Sequence, residues 1–548
     1  MAGQSTKIAS DLILLNGSIY TVDASRSWTS ALAVKDGKII YLGPESEIKN
    51  YKGPNTTVFD LKGKMVLPGF HDSHVHPVSG GLELGECDLT PYRTEDQMLE
   101  HIIQYARQHP EKEWIRGGGW QLPLFKDGNP HKSILDRILP DRPVYLEAAD
   151  GHSAWVNSRA LALANIDKKI ADPENGRIER DHKSAAPTGT LREDAMKLVS
   201  VLLPKYSEED YIKGLKRGME IANRYGITSL YEASATENLV KAYAALDERG
   251  ELKIKVTASL KLNPKQGEFA VKEILTLRDS FNGHNLNLNA VKIYADGVIE
   301  AQTAALIDPY LGTNGKRGKP TYEPEELKKF VKQLDKEGFQ VHIHAIGDYA
   351  VRISLDAFEF SAEVNGKRDS RHHIAHLQLI HPKDRPRFRR LGVVANFQPL
   401  WAYSDVYINK LTEPFLGPER SRWIYPIGSM LSSGATVVAG SDWSVSSMNP
   451  LLAMQVAVTR RALHAGPGPA WLPEEVADLP SIIASYTING AYLSFQEKET
   501  GSIEVGKAAD LVVLDRDLFE IPPHEIHLVN VMLTVLDGKI IYQDPSFE

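Results

Sequence analysis

The stretch Met65-Val-Leu-Pro-Gly-Phe-His-Asp-Ser-His-Val-His-Pro77 decides how the rest of the chain is interpreted. It starts as an apolar strand and ends in two histidines, His74 and His76, that are two positions apart. On an extended strand their imidazoles project to the same side, with backbones about 6–7 Å apart. Catalytic groups gather where the strands of a barrel end. The pair therefore predicts a metal site at the end of a barrel strand.

From residue 66 onward, short runs rich in Val, Ile and Ala alternate with longer amphipathic stretches. This alternation is typical of βαβ units around a buried parallel sheet. The stretches 208–225 and 324–337 have the apolar spacing of helices that pack on such a sheet. Eight strands are predicted, at residues 65–72, 227–232, 252–260, 288–295, 339–344, 372–377, 393–398 and 436–441. The sequence thus predicts an α/β fold, a (β/α)8 TIM-like barrel.

The two chain ends differ from this middle part, because both are strings of short strands broken by turns. An Asp-Gly hairpin signal occurs in residues 35–43 and again in residues 536–542. We therefore predict that residues 1–65 and 500–548 form one β-sandwich, and that residues 66–499 form the barrel. About 155 residues separate the first two barrel strands. Residues 85–215 are therefore predicted to form an inserted subdomain over the barrel mouth, where the loops after the strands fall.

Composition excludes several classes of protein. The chain has 548 residues, of which 42% are hydrophobic and 24% charged, as in ordinary globular proteins. A net charge of −8 argues against nucleic-acid binding. No apolar run is long enough to span a membrane or to act as a signal peptide. The single cysteine, Cys87, cannot form an intrachain disulfide, which fits a reducing compartment, so we expect a cytoplasmic protein.

Other predicted strands end in groups that suit metal binding. Lys292 lies within the fourth strand, His344 and His376 end the fifth and sixth, and Asp442 follows the eighth. A buried, unpaired ammonium costs several kcal/mol, so Lys292 needs an explanation. One explanation is a salt bridge to Asp296 or to another barrel carboxylate. The other is that the lysine is altered into a metal ligand.

At these residues the chain resembles the amidohydrolase superfamily, and within it the branch of N-substituted formamide deformylase-like enzymes (amidohydrolase family 3). The resemblance covers nearly the whole chain and rests on an ordered set of segments. These are the terminal sandwich, PGFHDSHVHP (68–77), VKIYADG (291–297), HIHAIGD (342–348), IAHLQ (374–378) and AGSDW (439–443). Each segment alone is weakly specific, whereas their order is strong support.

The resemblance implies a binuclear metal site, with zinc as the expected metal. His74, His76 and Asp442 would hold one ion, His344 and His376 the other, and a carboxylated Lys292 would bridge them. A single ion held by His74, His76, one further histidine and Asp442 is left open. His71 and His342 lie outside the pattern. We predict that both are structural and that His342 faces the opposite side of its strand from His344.

Such a site implies hydrolysis by a metal-bound hydroxide. Asp442 would take the proton of the attacking water and pass it to the leaving nitrogen. The segment around His152 also resembles the family, and His152 either reaches the substrate carbonyl or only ties its own loop to Asp150 or Asn157.

Four tryptophans lie beside Gly-rich turns or predicted strand ends and are candidate walls for an apolar acyl or aryl group, namely Trp120, Trp155, Trp401 and Trp443. The sequence shows no P-loop and no Gly-x-Ser-x-Gly serine-hydrolase motif. We therefore expect a metal-dependent hydrolase of a small-molecule amide-type C–N bond. The alternatives are hydrolysis of cyclic amides, carbamates or esters, and a non-catalytic, metal-stabilised binding protein. No nucleic-acid or membrane partner is expected, and a homodimer is left open.

Overall fold

A computed structural model describes residues 9–281 and 283–547, and its centre is an eight-stranded sheet. The paired strands of this sheet are parallel to their neighbours. In chain order they are Phe70–Val75, Ile227–Ala235, Lys255–Lys261, Leu286–Tyr294, Gln340–Ala345, His373–His376, Val394–Phe397 and Val437–Ala439. Each of the eight predicted strands overlaps one strand of this sheet, and the predicted barrel fold is confirmed.

Hydrogen bonds join the first and the last strand of the barrel. The backbone N–H of Asp442 donates to His74 O at 2.7 Å, and that of Ser441 donates to the Asp72 carboxylate at 2.9 Å. The backbone N–H of His76 donates to Trp443 O at 2.9 Å. This seam therefore brings the predicted metal ligands of the first and eighth strands together.

Helices cover the outside of the barrel. Ser207 and Asp210 form a capping box that starts one of them, and Gly392, in the left-handed conformation, ends another. The helices between or beside barrel strands are Pro77–Glu83, Glu208–Arg224, Glu237–Glu248, Glu268–Ser280, Pro324–Lys336, Asp348–Asn365, Arg385–Leu391, Glu413–Ser421, Ile427–Ser432, Pro450–Thr459, Leu479–Ser485 and Ile488–Leu493. The two helices predicted from apolar spacing begin at the predicted residues.

Strands from both chain ends form two further sheets. One contains Leu12–Leu15, Ala31–Lys35, Lys38–Gly43 and Thr57–Asp60. The other contains Ser18–Tyr20, Trp28–Thr29, Met65–Pro68, Leu511–Leu514, Val531–Leu536 and Lys539–Gln543. Buried aliphatic side chains of both sheets share one core, so they form the sandwich, while the predicted domain limits stay predictions.

The predicted strand 65–72 is two strands in the structure. Met65–Pro68 pairs with Leu511–Leu514 in the sandwich, whereas Phe70–Val75 belongs to the barrel. Gly69 is the junction, and a Cβ there would lie 2.3 Å from the Thr228 hydroxyl. Continuous apolar sequence hid this break, because both strands are buried.

The long segment after the first barrel strand carries a sheet of its own. Its strands are Cys87–Asp88, Ile115–Trp120, Val144–Ala148, Ser153–Val156, Gly176–Arg180 and Pro187–Glu193. Its helices are Glu95–Gln108, Lys132–Ile138, Ser158–Leu163 and Asp194–Ser200. Residues of this subdomain and of the barrel line one cavity of 2640 Å³. The insertion limits 85–215 stay a prediction.

The remaining elements are short. They are the helix Glu45–Ile48, a π-helical turn at Ile408–Thr412, and 3₁₀ turns at Lys49–Tyr51, Leu122–Leu124, Lys126–Gly128, Pro264–Gln266, Pro399–Trp401, Pro473–Glu475 and Pro523–Leu528. Within the described part of the chain, none of the helices has the length and apolar character that crossing a bilayer requires.

Candidate metal centre

His74 and His76 line the large cavity at the end of the first barrel strand. Their ring centroids are 5.6 Å apart. The His74 ring is buried, and its Nδ1 lies 3.0 Å from Nε2 of His342. Nε2 of His74 therefore remains available toward the cavity side, as a ligand atom requires.

Asp442 lies between these histidines and the sixth strand. Its Oδ1 is 3.2 Å from His76 Nε2 and 3.5 Å from His74 Nε2, and its Oδ2 is 3.9 Å from His376 Nδ1. One ligand atom each from His74, His376 and Asp442 lie within 4.8 Å of one another. Asp442 has a φ of +52°, a left-handed conformation that few residues other than glycine adopt.

Lys292 points into the same group of side chains. Its Nζ lies 3.4 Å from His74 Nε2 and 3.4 Å from His342 Nε2. Among residues 9–281 and 283–547, no carboxylate lies within 4.0 Å of this amine. Burial lowers the pKa of Lys292 to about 7. Within the described residues, the buried lysine thus lacks the counter-ion that a structural role would supply.

The salt bridge between Lys292 and Asp296 that the sequence left open does not form. Asp296 instead accepts backbone hydrogen bonds from Ala305, Ile346 and Gly347 at 2.9–3.0 Å. The carboxylate therefore holds the loops after the fourth and fifth strands, and it lies 3.8 Å from His344 Nε2.

His344 and His376 complete the ring of imidazoles. Their centroids are 4.5 Å apart, and the His376 centroid is 4.6 Å from that of His74. Nδ1 of His376 lies 2.9 Å from Gln398 Oε1. Burial lowers the pKa of both His344 and His376, which favours the neutral form that binds metals.

His342 contradicts the prediction made for it. Residues two apart on a strand face the same side, so His342 points into the barrel interior as His344 does. Its Nδ1 lies 3.0 Å from the Ser259 hydroxyl, and its Nε2 contacts His74. It therefore links the barrel interior to a predicted metal ligand. His71 is buried against Gly490, whose added Cβ would lie 2.4 Å from His71 Cβ, and stays interpreted as structural.

His152 comes from the insertion and lines the cavity opposite His344, with ring centroids 5.5 Å apart. Its Nδ1 lies 3.0–3.1 Å from both Glu193 oxygens, and Glu193 accepts a 2.8 Å hydrogen bond from Thr303. Burial disfavours the charged ring, but Glu193 outweighs this effect and raises the pKa of His152 to about 9. The partner of the ring is thus Glu193, whereas Asp150 only caps the backbone N–H of His152.

The structure separates the four tryptophans into two pairs. Trp401 and Trp443 line the cavity. Trp120 and Trp155 are fully buried in the core of the insertion, where both pack on Phe125 and do not reach the cavity. The prediction that these two contact substrate is therefore wrong, because Gly-rich neighbours also occur where a strand packs against a large buried ring.

Two site residues were not predicted from the sequence. Glu232 is buried, and its Oε1 lies 3.4 Å from His76 Nδ1 while Tyr243 donates to its Oε2 at 3.0 Å. Burial disfavours a charged His76, yet Asp442 and Glu232 raise its pKa to about 9. Gln398 holds His376. Both residues end predicted barrel strands, a position that could have identified them.

The chain is similar to known proteins over nearly its whole length. A model described as the amidohydrolase family matches residues 57–542. Protein LONG AFTER FAR-RED 3 of Arabidopsis thaliana is 32% identical over 98% of this chain and 92% of its own length. N-substituted formamide deformylase of Arthrobacter pascens is 29% identical over 97% of this chain and 98% of its own. The crystal structure of an uncharacterized metal-dependent hydrolase from Pyrococcus horikoshii OT3 has a TM-score of 0.73, 27% identity, and coverage of 93% and 99%.

The fold and the site therefore define a metal-dependent hydrolase built on a (β/α)8 barrel. The chain belongs to the amidohydrolase family. The predicted family, the fold and the hydrolytic class of enzyme are confirmed, whereas the roles of single residues stay predictions.

Proposed function

We propose that this enzyme hydrolyses an amide-type C–N bond of a small molecule. The observation that carries the proposal is the convergence of five side chains in one cavity. They come from the first, fourth, sixth and eighth strands and are His74, His76, Lys292, His376 and Asp442. The similarity to N-substituted formamide deformylase agrees with this choice of bond.

The donor set fits divalent metal ions, because imidazole nitrogens and a carboxylate are common zinc ligands. We assign His74, His76 and Asp442 to one ion and His344 and His376 to a second, with zinc as the expected metal. A carboxylated Lys292 would bridge the two. Its lowered pKa supports this assignment, since the uncharged amine is the form that bonds to the carbon of CO₂ and releases a proton.

When bound, a divalent ion lowers the pKa of a coordinated water to about 7 and polarises the carbonyl group. Asp442 is placed to take the proton of the attacking water, because its Oδ1 faces His74 and His76 while its backbone is held to His74 O. The same carboxyl then protonates the departing nitrogen, as general acid catalysis requires. His152, held by Glu193, donates to the developing oxyanion from the insertion side.

Cyclic amides, carbamates and esters would use the same groups, so the walls of the cavity decide between them. A substrate panel of formamides, N-acyl amino acids, lactams, carbamates and esters separates these alternatives by kcat/KM. We expect the highest value for a linear amide. A lactam or ester in first place would contradict the proposed bond class while leaving the hydrolytic site intact.

The non-catalytic alternative makes a different prediction. If the metal only stabilises a binding protein, chelation lowers the melting temperature but no member of the panel is turned over. If the enzyme proposal holds, chelation abolishes turnover and readdition of zinc restores it. Asp442→Asn would then lower kcat by orders of magnitude, whereas a binding protein would keep its ligand affinity.

Metal count and lysine modification are tested directly on the purified protein. Elemental analysis should give two ions per chain, and a value of one would favour the single-ion alternative. Carbon-13 NMR after exchange with labelled bicarbonate should show a carbamate signal that Lys292→Met removes. A two-ion protein without this signal would contradict the bridging lysine.

We also propose a cytoplasmic location, which the single, buried Cys87 favours. Cell fractionation tests it. Light scattering on the purified protein tests whether the chain forms the homodimer that the sequence left open.

A further inference from the structure

One wall of the cavity combines aromatic rings with carboxylates. This anionic aromatic wall consists of Glu300, Trp401, Tyr403, Asp405, Tyr407 and Tyr425, all of which line the cavity. None of the wall residues belongs to the insertion, because Glu300 follows the fourth barrel strand and the other five follow the seventh. The wall is thus a feature of the barrel rim itself.

The wall begins at the metal centre. The Trp401 ring stacks on the His376 ring, with centroids 5.7 Å apart and planes at 10°. Trp401 also contacts Tyr425 in an edge-to-face arrangement, with centroids 6.5 Å apart. A group that contacts the Trp401 ring therefore lies close to His376, a predicted metal ligand.

Glu300 is held in place at the wall. Its Oε1 accepts hydrogen bonds from Gln378 Nε2 and from the Thr412 hydroxyl, both at 2.7 Å. In the described part of the chain its Oε2 has no hydrogen-bond partner. Asp405 accepts the backbone N–H of Ile408 at 2.8 Å, which leaves its second oxygen unused by that bond.

Neither carboxylate of this wall forms an ion pair within the described part of the chain. Among residues 9–281 and 283–547, no Lys, Arg or His forms an ion pair within 4.0 Å of Glu300 or Asp405. Arg460 donates to the Tyr425 backbone oxygen at 3.0 Å and forms no ion pair with either carboxylate of the wall among the described residues. Burial accordingly raises the pKa of both carboxyls. By contrast, Glu193, another carboxylate that lines the cavity, is paired with His152.

We propose that this wall binds an ammonium group of the substrate, so that the enzyme prefers amides that carry a cationic substituent beside the scissile bond. The inference rests on the proposed amide hydrolysis, whose substrate class it narrows. Aromatic faces attract cations, and do so more strongly in a site that is shielded from water. A neutral aryl group would cover Glu300 and leave its charge unpaired, which costs free energy. A cation would pair with the charge of the carboxylates and would also be attracted to the faces of the rings.

Direct binding tests the wall without any reaction. The probes are choline and its carbon isostere, in which a tert-butyl group replaces the trimethylammonium group, titrated calorimetrically into the metal-loaded enzyme. We expect choline to bind at least about tenfold more tightly. Equal affinity for the two probes would overturn the proposal.

Two variants, each of which removes the charge of one wall carboxylate, test whether choline binds at the wall. Glu300→Gln keeps an oxygen for Gln378 and Thr412 but removes the charge, and Asp405→Asn likewise keeps an acceptor for Ile408. Each should reduce the preference for choline severalfold. The matched control is Glu237→Gln, an exposed cavity carboxylate after the second strand, where we expect an unchanged preference. A preference that survives both wall variants, or that falls equally in the control, would overturn the assignment.

Turnover separates this inference from the proposed function. The substrates are two formamides that differ only in a trimethylammonium or a tert-butyl group on the amine side, together with the matching pair of acyl-side amides. Faster turnover of the cationic member, by about tenfold in kcat/KM, supports both proposals. If choline binds through Glu300 but no amide is hydrolysed, the proposed function fails and the cation site stands. If both members of each pair are hydrolysed alike, only the cation site fails.

Discussion

The barrel rim and the terminal β-sandwich are equally buried but chemically opposite. The rim buries His74, Lys292 and His376, each at 3% exposure or less. The sandwich core, with Leu14 and Leu511 fully buried, is aliphatic. Burial of aliphatic groups stabilises the fold, whereas burial of ionisable groups costs free energy unless they are paired.

This difference separates stability from reactivity in space. Burial lowers the pKa of His74 and His376 and keeps these two imidazoles neutral, as a metal ion requires. Asp442 and Glu232, by contrast, raise the pKa of His76 despite its burial. The sandwich supplies none of the residues assigned to the metal centre. Substitutions in the two regions should therefore change different measured quantities.

The largest expected effect is at the rim. Asp442→Asn removes the proposed base and a metal ligand, so we expect kcat to fall by about 10²–10⁴-fold, measured with the best substrate of the panel. Asp384→Asn is the control, because Asp384 is a buried carboxylate outside the cavity that pairs with Arg352 and Arg387. It should lower stability and leave kcat unchanged; a similar loss of kcat in both variants would contradict the comparison.

The second largest effect is expected in the core of the terminal β-sandwich. Leu511→Ala leaves a cavity in its core, and we expect the free energy of unfolding to fall by about 2–5 kcal/mol. Denaturant unfolding followed by fluorescence measures this loss, and kcat per folded molecule should not change. Val505→Ala, at a side chain with 62% exposure, should be neutral in both measurements. A loss of kcat in Leu511→Ala would show that the two regions are coupled.

A smaller effect, on zinc affinity, is expected in the barrel interior at His342. His342 contacts His74 Nδ1, and residues that orient a metal ligand typically contribute 10–100-fold to affinity. His342→Gln should thus weaken zinc binding by about 10–100-fold, measured by competition with a chelator. His373→Gln changes a neighbouring buried ring that lies against His342 rather than against His74. We expect little change in affinity there, and equal losses in the two variants would argue against orientation.

The smallest effect concerns a paired carboxylate on the outer face of the barrel. Asp335 accepts from Arg368 and Asn365 and pairs with His372, and these partners hold its pKa below the usual range despite burial. A lowered folded-state pKa adds stability above the unfolded value of about 4 and loses it as the pH falls. Asp335→Asn should therefore cost about 1.5 kcal/mol at pH 7.

Unfolding measured between pH 7 and pH 3 checks the sign for Asp335. The difference between wild type and variant should shrink as the pH falls below about 4. A difference that stays constant with pH would mean that Asp335 acts through packing alone.

The barrel was predictable because its signals are local. Each buried parallel strand is a short apolar run, and each covering helix repeats its apolar side chains, as at Glu208–Arg224 and Pro324–Lys336. The candidate ligands could be proposed from the sequence for the same reason, since His344 and His376 stand at the ends of such runs.

Partners across the barrel were less predictable. Nothing in the local pattern around Glu232 or Gln398 tells which histidine each would contact. The same holds for Trp120 and Trp401, because one ends a strand and the other closely follows one, and only Trp401 faces the cavity. The error at His342 was of another kind, since the two-residue repeat of a strand already places it beside His344.

The amino-acid sequence by itself determined the order of strands and helices, the sandwich made from both ends, and the residue types at the strand ends, because these follow from periodicity and position along the chain. Only the tertiary structure decided that Lys292 has no carboxylate partner among the described residues, that His342 holds His74, and that Glu300 lines the same cavity as the aromatic rings of the wall. The physical reason is that these contacts join residues far apart in the chain, and their distances depend on barrel closure and side-chain packing.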